Sequence, residues 1–341
     1  MKTINRREFI SGAAALGVVS GCRMFDGTRY PSGKPELTVG VISDVHQPVA
    51  GTERLQIALS FFDRRKVDAV LVCGDLTHYG LVRELKMFRD QWTKAFPDNR
   101  RSDGEKVEPL FIYGDHDTGG YCQDFDNGEP PCRLHGIDRE QVRKELIPLV
   151  GSGKAWKEVF GEDWDFVQIK DVKGYRFILS HYYGTIHQQV PPGLEEKFNE
   201  AVSGISSDRP FFFVQHRVYP NTVTAYPWNN EWWCADCDAA NKLLERHPNA
   251  VALCGHAHSN LLDEGNFWRG DFTAIEVPTL HTLSYPHSLG MDRNTFDTRS
   301  VQCLVMKVYP HGVVFERHEA RENTQLGADW RVILTEETSL R

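Results

Sequence analysis

The chain has no surplus of positive charge. Its 39 Lys and Arg stand against 47 Asp and Glu, a formal net charge of −8 over 341 residues. Nucleic-acid binding rests on clustered cations, so this balance disfavours nucleic acid as the main partner while leaving room for a local basic groove. Past the N-terminal segment, no stretch reaches the ~20 apolar residues that a membrane-spanning helix needs. Internal repeats and low-complexity tracts are absent, which sets aside solenoid and fibrous architectures. The Cys234-x-x-Cys237 pair has no matching second pair, so a four-cysteine zinc site is disfavoured. What is present is ordinary globular material. The 40% hydrophobic and 25% charged residues argue against disorder, and the length fits a single large α/β domain.

The first 22 residues read as an address rather than as fold. Lys2, Arg6 and Arg7 make a positive start, and Ser11 to Gly21 (SGAAALGVVSG) is a small-residue apolar stretch of secretory length, too short to span a bilayer. Asn5-Arg6-Arg7-Glu8-Phe9-Ile10 resembles a twin-arginine export motif, a route that carries folded proteins. Val19-Ser20-Gly21-Cys22 resembles a bacterial lipobox, in which Cys22 is lipidated and becomes the mature N-terminus. The alternative is a soluble exported protein in which Cys22 is incidental. The expectation is an exported bacterial protein of the periplasm or cell surface, held to the membrane by an N-terminal lipid anchor. Residues 23–36, closing on YPSGKPE, read as a linker.

From Leu37 a rhythm begins. Leu37–Ser43, Asp68–Cys73 and Leu110–Tyr113 are short apolar runs that read as buried strands. Between them, Glu53–Lys66 and Leu81–Phe96 have helical spacing. Further strands are expected at Phe166–Ile169, Tyr175–Ser180, Phe211–Gln215 and Ala250–Cys254, and helices at Leu194–Val202 and Asp236–Arg246. Asp171 to Gly174 reads as a turn, and Val301–Val308 with Val313–Arg317 as a hairpin around Pro310-His311-Gly312. Such alternation predicts an α/β sheet covered on both faces. The domain is expected to run over 37–319, with a tail at 320–341. Three long irregular stretches, 117–137, 217–235 and 278–300, have lengths typical of functional loops or disorder. Cys73, Cys254 and Cys303 lie in apolar runs and read as small buried hydrophobes. Cys122/Cys132 and Cys234/Cys237 are candidate disulfides in an oxidising compartment.

The informative pattern is where Asp and His fall. Expected strands end in Ser43-Asp44-Val45-His46, Cys73-Gly74-Asp75, Gly114-Asp115-His116-Asp117, Gln215-His216 and Cys254-Gly255-His256-Ala257-His258. The carboxyl edge of an open α/β sheet is where ligands bind. One such residue is unremarkable, because a lone His after a strand is usually solvated or in the core. Five in succession, with Gly at the turns, point to metal chemistry.

This order resembles the signature of the calcineurin-like metallophosphoesterases, D-x-H … G-D … G-N-H-[DE] … H … G-H-x-H, over about residues 37–319. The resemblance implies a four-layer αββα sandwich, two mixed β-sheets flanked by helices, with a dinuclear metal site on the strand-end loops. It implies that Asp44, His46 and His258 hold one metal, that Asp75 bridges both, and that Asp115, His216 and His256 complete the second. His116 would be the catalytic histidine beside the leaving group, oriented by Asp117. Imidazole and carboxylate donors suit two ions drawn from Mn, Fe, Zn, Co or Ni. The implied reaction is hydrolysis of a phosphate mono- or diester by metal-bound hydroxide outside the cytoplasm.

Two features depart from the family. Asp115 stands where the family usually has Asn, and no Tyr follows Asp75 by three residues, which argues against the purple acid phosphatase subfamily. Arg217 is a candidate phosphate clamp, its alternative being a solvated charge. His78, His181 and His281 are candidates to line the cleft. Trp228, Trp232 and Trp233 would stack on a base or a lipid headgroup, or form a satellite core under a loop. A phospholipid or sphingolipid headgroup phosphodiesterase is therefore the alternative enzyme. The alternative of another class is a non-catalytic binding module on the same scaffold.

Overall fold

The structure is a computed structural model that describes residues 31, 33–49, 51–119, 129–184, 190–223, 238–281, 283–284, 296–297 and 299–334. The export segment with Cys22, the Cys122, Cys234 and Cys237 positions and the three tryptophans at 228, 232 and 233 lie outside these residues.

Two sheets stack face to face. The first has the strand order β14-β13-β12-β1-β2-β3, with β1 Leu37–Ile42, β2 Ala69–Val72, β3 Glu108–Phe111, β12 Gln302–Tyr309, β13 Gly312–Glu319 and β14 Thr324–Gln325. Strands β1, β2 and β3 run parallel, and β12 is antiparallel to β1. The second sheet has the order β4-β5-β6-β7-β9-β8, with β4 Val167–Val172, β5 Tyr175–Ser180, β6 Phe211–Val214, β7 Ala250–Cys254, β8 Phe267–Arg269 and β9 Thr273–Glu276. Here β5, β6, β7 and β9 are parallel. A short pair, β10 Leu283–Ser284 with β11 Phe296–Asp297, stands apart.

The alternation of side chains along each strand builds three cores. Leu37, Val39 and Val41 of β1 meet Phe177 and Leu179 of β5 and Val251 and Leu253 of β7 between the sheets. The opposite face of the first sheet packs on α1 Thr52–Arg64 and α2 Val82–Ala95, through Leu55, Leu59 and Phe62 of α1 and Leu85, Phe88 and Trp92 of α2. These positions recur at the three- and four-residue spacing of a one-faced helix. The outer face of the second sheet is covered by α6 Leu194–Val202 and α7 Asp238–Leu244. Helices α3 Glu129–His135, α4 Arg139–Glu145 and α5 Gly153–Phe160 complete the described layers. The result is the four-layer sandwich with both sheets mixed. Every residue of β2 and β6 is buried, which is why they read as unbroken apolar runs.

Several expectations need correction. The turn between β4 and β5 is only Lys173-Gly174, both at positive φ (49° and 79°), the two-residue form that matches strand twist. Residues beyond 319 do not form a detached tail: β15 Trp330–Ile333 pairs antiparallel with β13 and inserts Trp330 and Val332 into the inter-sheet core. Strand β9 and helices α3 to α5 have no counterpart in the sequence reading. Part of the expected loop at 117–137 is helical in α3. The expected Cys122–Cys132 pairing lies outside the described residues at Cys122. Cys73, Cys254 and Cys303 are buried free cysteines, as the apolar runs around them imply.

Candidate active site

The parallel strands of both sheets point their carboxyl ends to one edge, and the loops there are laced together. Asp44 N donates to the Gly74 carbonyl at 3.0 Å and His46 N to the Asp75 carbonyl at 2.9 Å. Gly255 N donates to the His216 carbonyl at 2.9 Å. The two sheets are stitched at Ser43, whose N–H donates to the Pro278 carbonyl and whose carbonyl accepts from Leu280 N, both at 3.0 Å.

This crowding explains the glycines of the motif. A Cβ on Gly114 would lie 2.2 Å from Asp75 Oδ1, and one on Gly255 would lie 1.9 Å from Ser43 Oγ. Asp44, His46, Asp75, His256 and His258 all have positive φ, between 46° and 74°. Non-glycine residues rarely adopt that region, at an energy of order 1–3 kcal/mol each, and such outliers gather at functional sites.

Two groups of donors result. In one, ligand atoms of Asp44, His46 and Asp75 lie within 4.8 Å of one another, and His46, His258 and His281 form an overlapping set. In the other, Asp115, His216 and His256 converge in the same way. Asp75 stands between them, its Oδ2 3.3 Å from His46 Nε2 and 3.3 Å from His216 Nε2. His258 Nε2 lies 3.4 Å from Asp44 Oδ1.

The protonation pattern shows what these atoms require. His216 Nδ1 donates to the Cys73 carbonyl at 2.7 Å, so the neutral ring presents a lone pair at Nε2. That lone pair faces Asp75 Oδ2 at 3.3 Å, Asp115 Oδ1 at 2.9 Å and His256 Nδ1 at 3.2 Å. Electron-rich atoms so placed need a cation among them. With no metal bound, burial would lower His216, but the Asp75 and Asp115 carboxylates raise it well above the ordinary histidine value, so a proton on Nε2 stands where the cation would sit. His46 is held well below its usual value by burial and by the surrounding imidazoles of His116, His258 and His281. It is therefore neutral, the form that binds metal. His46 Nε2 is buried without a hydrogen bond among the described residues. The residues present thus fit transition-metal ions of mixed nitrogen and oxygen ligation.

The remaining candidates divide. His116 and His78 join the site: the ring centroids of His46 and His116 are 4.4 Å apart, and His46 Nδ1 is 3.2 Å from His78 Nδ1. His116 N donates to Asp75 Oδ1 at 2.9 Å. Asp117 does not orient the His116 ring. Its carboxylate accepts from Leu76 N, Thr77 N, Thr77 Oγ1 and Gly114 N at 2.7–3.1 Å, which occupies its lone pairs and fastens two loops. The His116 ring instead donates through Nδ1 to the His78 carbonyl at 2.8 Å. His181 is 1% exposed and lines, with Tyr182, His216 and Arg217, a pocket beside the site. Its Nδ1 accepts from Tyr113 N at 3.0 Å, its Nε2 donates to Gln168 Oε1 at 2.9 Å, and Tyr113, Trp156 and Trp164 pack edge-on around it. Arg217 is neither a solvated charge nor an open clamp. It is 5% exposed and its guanidinium binds Asp115 Oδ2 at 3.0 Å. Burial alone would raise Asp115, but His256, Arg217 and the His216 hydrogen bond hold it well below the usual carboxylate range.

The supporting acceptors at Cys73 and His78 are backbone carbonyls, which any residue supplies, so no side-chain pattern could have revealed them. Thr279, whose hydroxyl donates to the Asp44 carbonyl at 3.2 Å, likewise has no sequence signal.

Comparison with known proteins agrees with this fold. The structure is similar to a purple acid phosphatase from yellow lupin (Lupinus luteus) seeds, with TM-score 0.55 and 13% identity, over 92% of this chain and 56% of the lupin chain. A dimetal phosphatase from Danio rerio is similar with TM-score 0.53 and 11% identity, over 89% of this chain and 100% of that one. PhoD is similar with TM-score 0.54 and 11% identity, over 89% of this chain and 71% of its own. At such identities the likeness is one of fold. A search of curated protein sequences finds no match. The model of the calcineurin-like phosphoesterase family matches residues 37–260, about two thirds of the 341-residue chain. The protein belongs to the calcineurin-like phosphoesterases, and is a metal-dependent phosphoester hydrolase.

Proposed function

We propose that the protein hydrolyses phosphate esters outside the cytoplasm at a dinuclear centre. Asp44, His46, Asp75 and His258 hold one ion, and Asp75, Asp115, His216 and His256 hold the other. The observation that carries this reading is Asp75 Oδ2, equidistant at 3.3 Å from a ring nitrogen of each group. Two such ions, when bound, supply an activated water and neutralise the phosphoryl oxygens. The chain's own residues do the rest. The Cys73 carbonyl fixes the His216 tautomer with Nε2 toward the donors. The His78 carbonyl holds the His116 Nδ1 proton, so the proton passed to the leaving-group oxygen is the one on Nε2. The Asp75 carboxylate, through Oδ1, anchors the His116 backbone beside that path. A binding module without catalysis is disfavoured, because every donor and His116 are in place.

The tests use purified protein of known metal content and a panel of phosphate mono- and diesters. His116→Ala should lower turnover about 10²–10⁴-fold, the range for a positioned proton donor, with metal content retained. Asp75→Ala should lose both ions and activity. Fully loaded protein that cleaves neither p-nitrophenyl phosphate, nor its bis-ester, nor any natural ester in the panel would sink the dinuclear reading. Export belongs to the same proposal and is supported by Arg6-Arg7 and by Val19-Ser20-Gly21-Cys22. The native N-terminus should carry a diacylglyceryl adduct on Cys22 by mass spectrometry. Its absence removes the lipid anchor, and with it the main support for a lipid-headgroup substrate.

A further inference from the structure

We propose that His281 is a fifth protein ligand of the ion held by Asp44, His46, Asp75 and His258, supplied by a strand-end loop outside the family signature. The proposal rests on the dinuclear reading. A ring nitrogen of His281 lies within 4.8 Å of the ligand atoms of His46 and His258. Its ring centroid is 4.6 Å from that of His46 and 5.3 Å from that of His258. Its Nδ1 is buried and has no hydrogen-bond partner among the described residues. A buried imidazole nitrogen without a partner loses a hydrogen bond to water for nothing in return, unless a cation takes that place.

The backbone under His281 is braced as a ligand's backbone is. His281 N donates to Thr279 Oγ1 at 2.9 Å, and that hydroxyl donates to the Asp44 carbonyl at 3.2 Å. One threonine therefore ties the new donor to the first donor of the site. Arg54 NH1 donates to the His281 carbonyl, and Leu280 N donates to the Ser43 carbonyl at 3.0 Å. His281 follows β9, which is parallel to β7. It thus extends to one more strand the rule that donors stand beyond carboxyl ends.

The consequence is specific. A fifth protein donor leaves that ion with fewer exchangeable positions, so substrate and water compete mainly for the other ion. Metal-free protein is titrated with Co²⁺ alone, in wild type, His281→Ala and His281→Gln, after each variant is shown to melt like the wild type without metal. Two Co²⁺ per chain are expected in wild type. Both variants should bind one of the two more weakly, by at least the ~10–100-fold that loss of an outer-shell partner already costs. Proton NMR of the Co²⁺ protein should show five paramagnetically shifted, exchangeable imidazole N–H signals in wild type and four in the variants. Unchanged affinities with four signals in wild type, even alongside reduced hydrolysis, would make His281 a substrate contact and overturn the proposal alone. Fewer than two Co²⁺ bound by wild type would overturn the dinuclear reading and this inference together.

Discussion

Asp115 and Arg217 are better understood as a pair than as two residues. Replacing the family's Asn by Asp adds a negative charge to the site, and the guanidinium at 3.0 Å returns a positive one. Asp115 thus keeps Oδ1 for the metal side and gives Oδ2 to Arg217. Arg217 cannot be a free clamp while it is so held, yet its charge still reaches the phosphoryl group. A monoester dianion feels that charge about twice as strongly as a diester monoanion. Arg217→Met should therefore lower kcat/KM for p-nitrophenyl phosphate relative to its bis-ester, by roughly tenfold, since a unit charge ~7 Å away at an effective dielectric of ~20 is worth about 2 kcal/mol before screening by the metals. The double variant Asp115→Asn/Arg217→Met should bring the ratio back toward wild type. An unchanged ratio in Arg217→Met at matched metal content would refute the charge argument.

Single elements carry little of this site; the joins between them carry it. Asp117 is the clearest join. From the loop after β3 it accepts the backbone N–H groups of Leu76 and Thr77 from the loop after β2, and Gly114 N from its own loop. Asp117→Ala would strand three buried N–H donors, while the Thr77 hydroxyl can turn to the His116 carbonyl at 3.3 Å. Each buried unsatisfied group costs ~1–3 kcal/mol. A total loss of ~3 kcal/mol corresponds to roughly 5 °C in Tm, from ~2.1 cal/mol/K of unfolding entropy per residue over about 300 residues. Metal affinity should fall as well, because Asp75 and Asp115 lie on the two loops so joined. A melting temperature within about 1 °C of wild type by calorimetry would show that water or a shifted backbone satisfies those donors.

For the whole molecule, His181 sets a pH limit on stability. It is sealed among Tyr113, Trp156 and Trp164, and burial, followed by the Lys170 charge, lowers it from 6.5 to about 3. In the unfolded chain it titrates normally. Below pH 6.5 the unfolded state therefore takes up a proton that the folded state refuses until about pH 3. Stability falls with pH across that window by about 1.4 kcal/mol per unit from this group, and is unaffected by it above pH 6.5. His181→Gln should be less stable than wild type at pH 7, having lost the acceptor for Tyr113 N. The difference should shrink steadily from pH 6.5 to 4.5. Urea unfolding in chelator, which removes any metal contribution, measures it. A gap independent of pH would mean that His181 protonates in the folded state.

The sequence by itself determined the sheet alternation and most donors of the site, for one physical reason. Strands covered on both faces are unbroken apolar runs, and the polar residues allowed at their ends must be functional or strained. Thus β1, β2, β5 and β7 with Asp44, Asp75 and the His256/His258 pair were legible from local pattern alone. Strand β9 was not: Thr273–Glu276 is buried throughout and includes a buried glutamate, which no periodicity announces. Nor was β15, whose Trp330 and Val332 gain meaning only once β13 is beside them. The tertiary structure alone decided the roles that depend on approach between distant segments. It turned Asp117 from a partner of His116 into a staple between loops, buried His181 under aromatics, and set Arg217 against Asp115. These contacts join residues 40 to 102 positions apart, and sequence pattern reports only what a residue's near neighbours require.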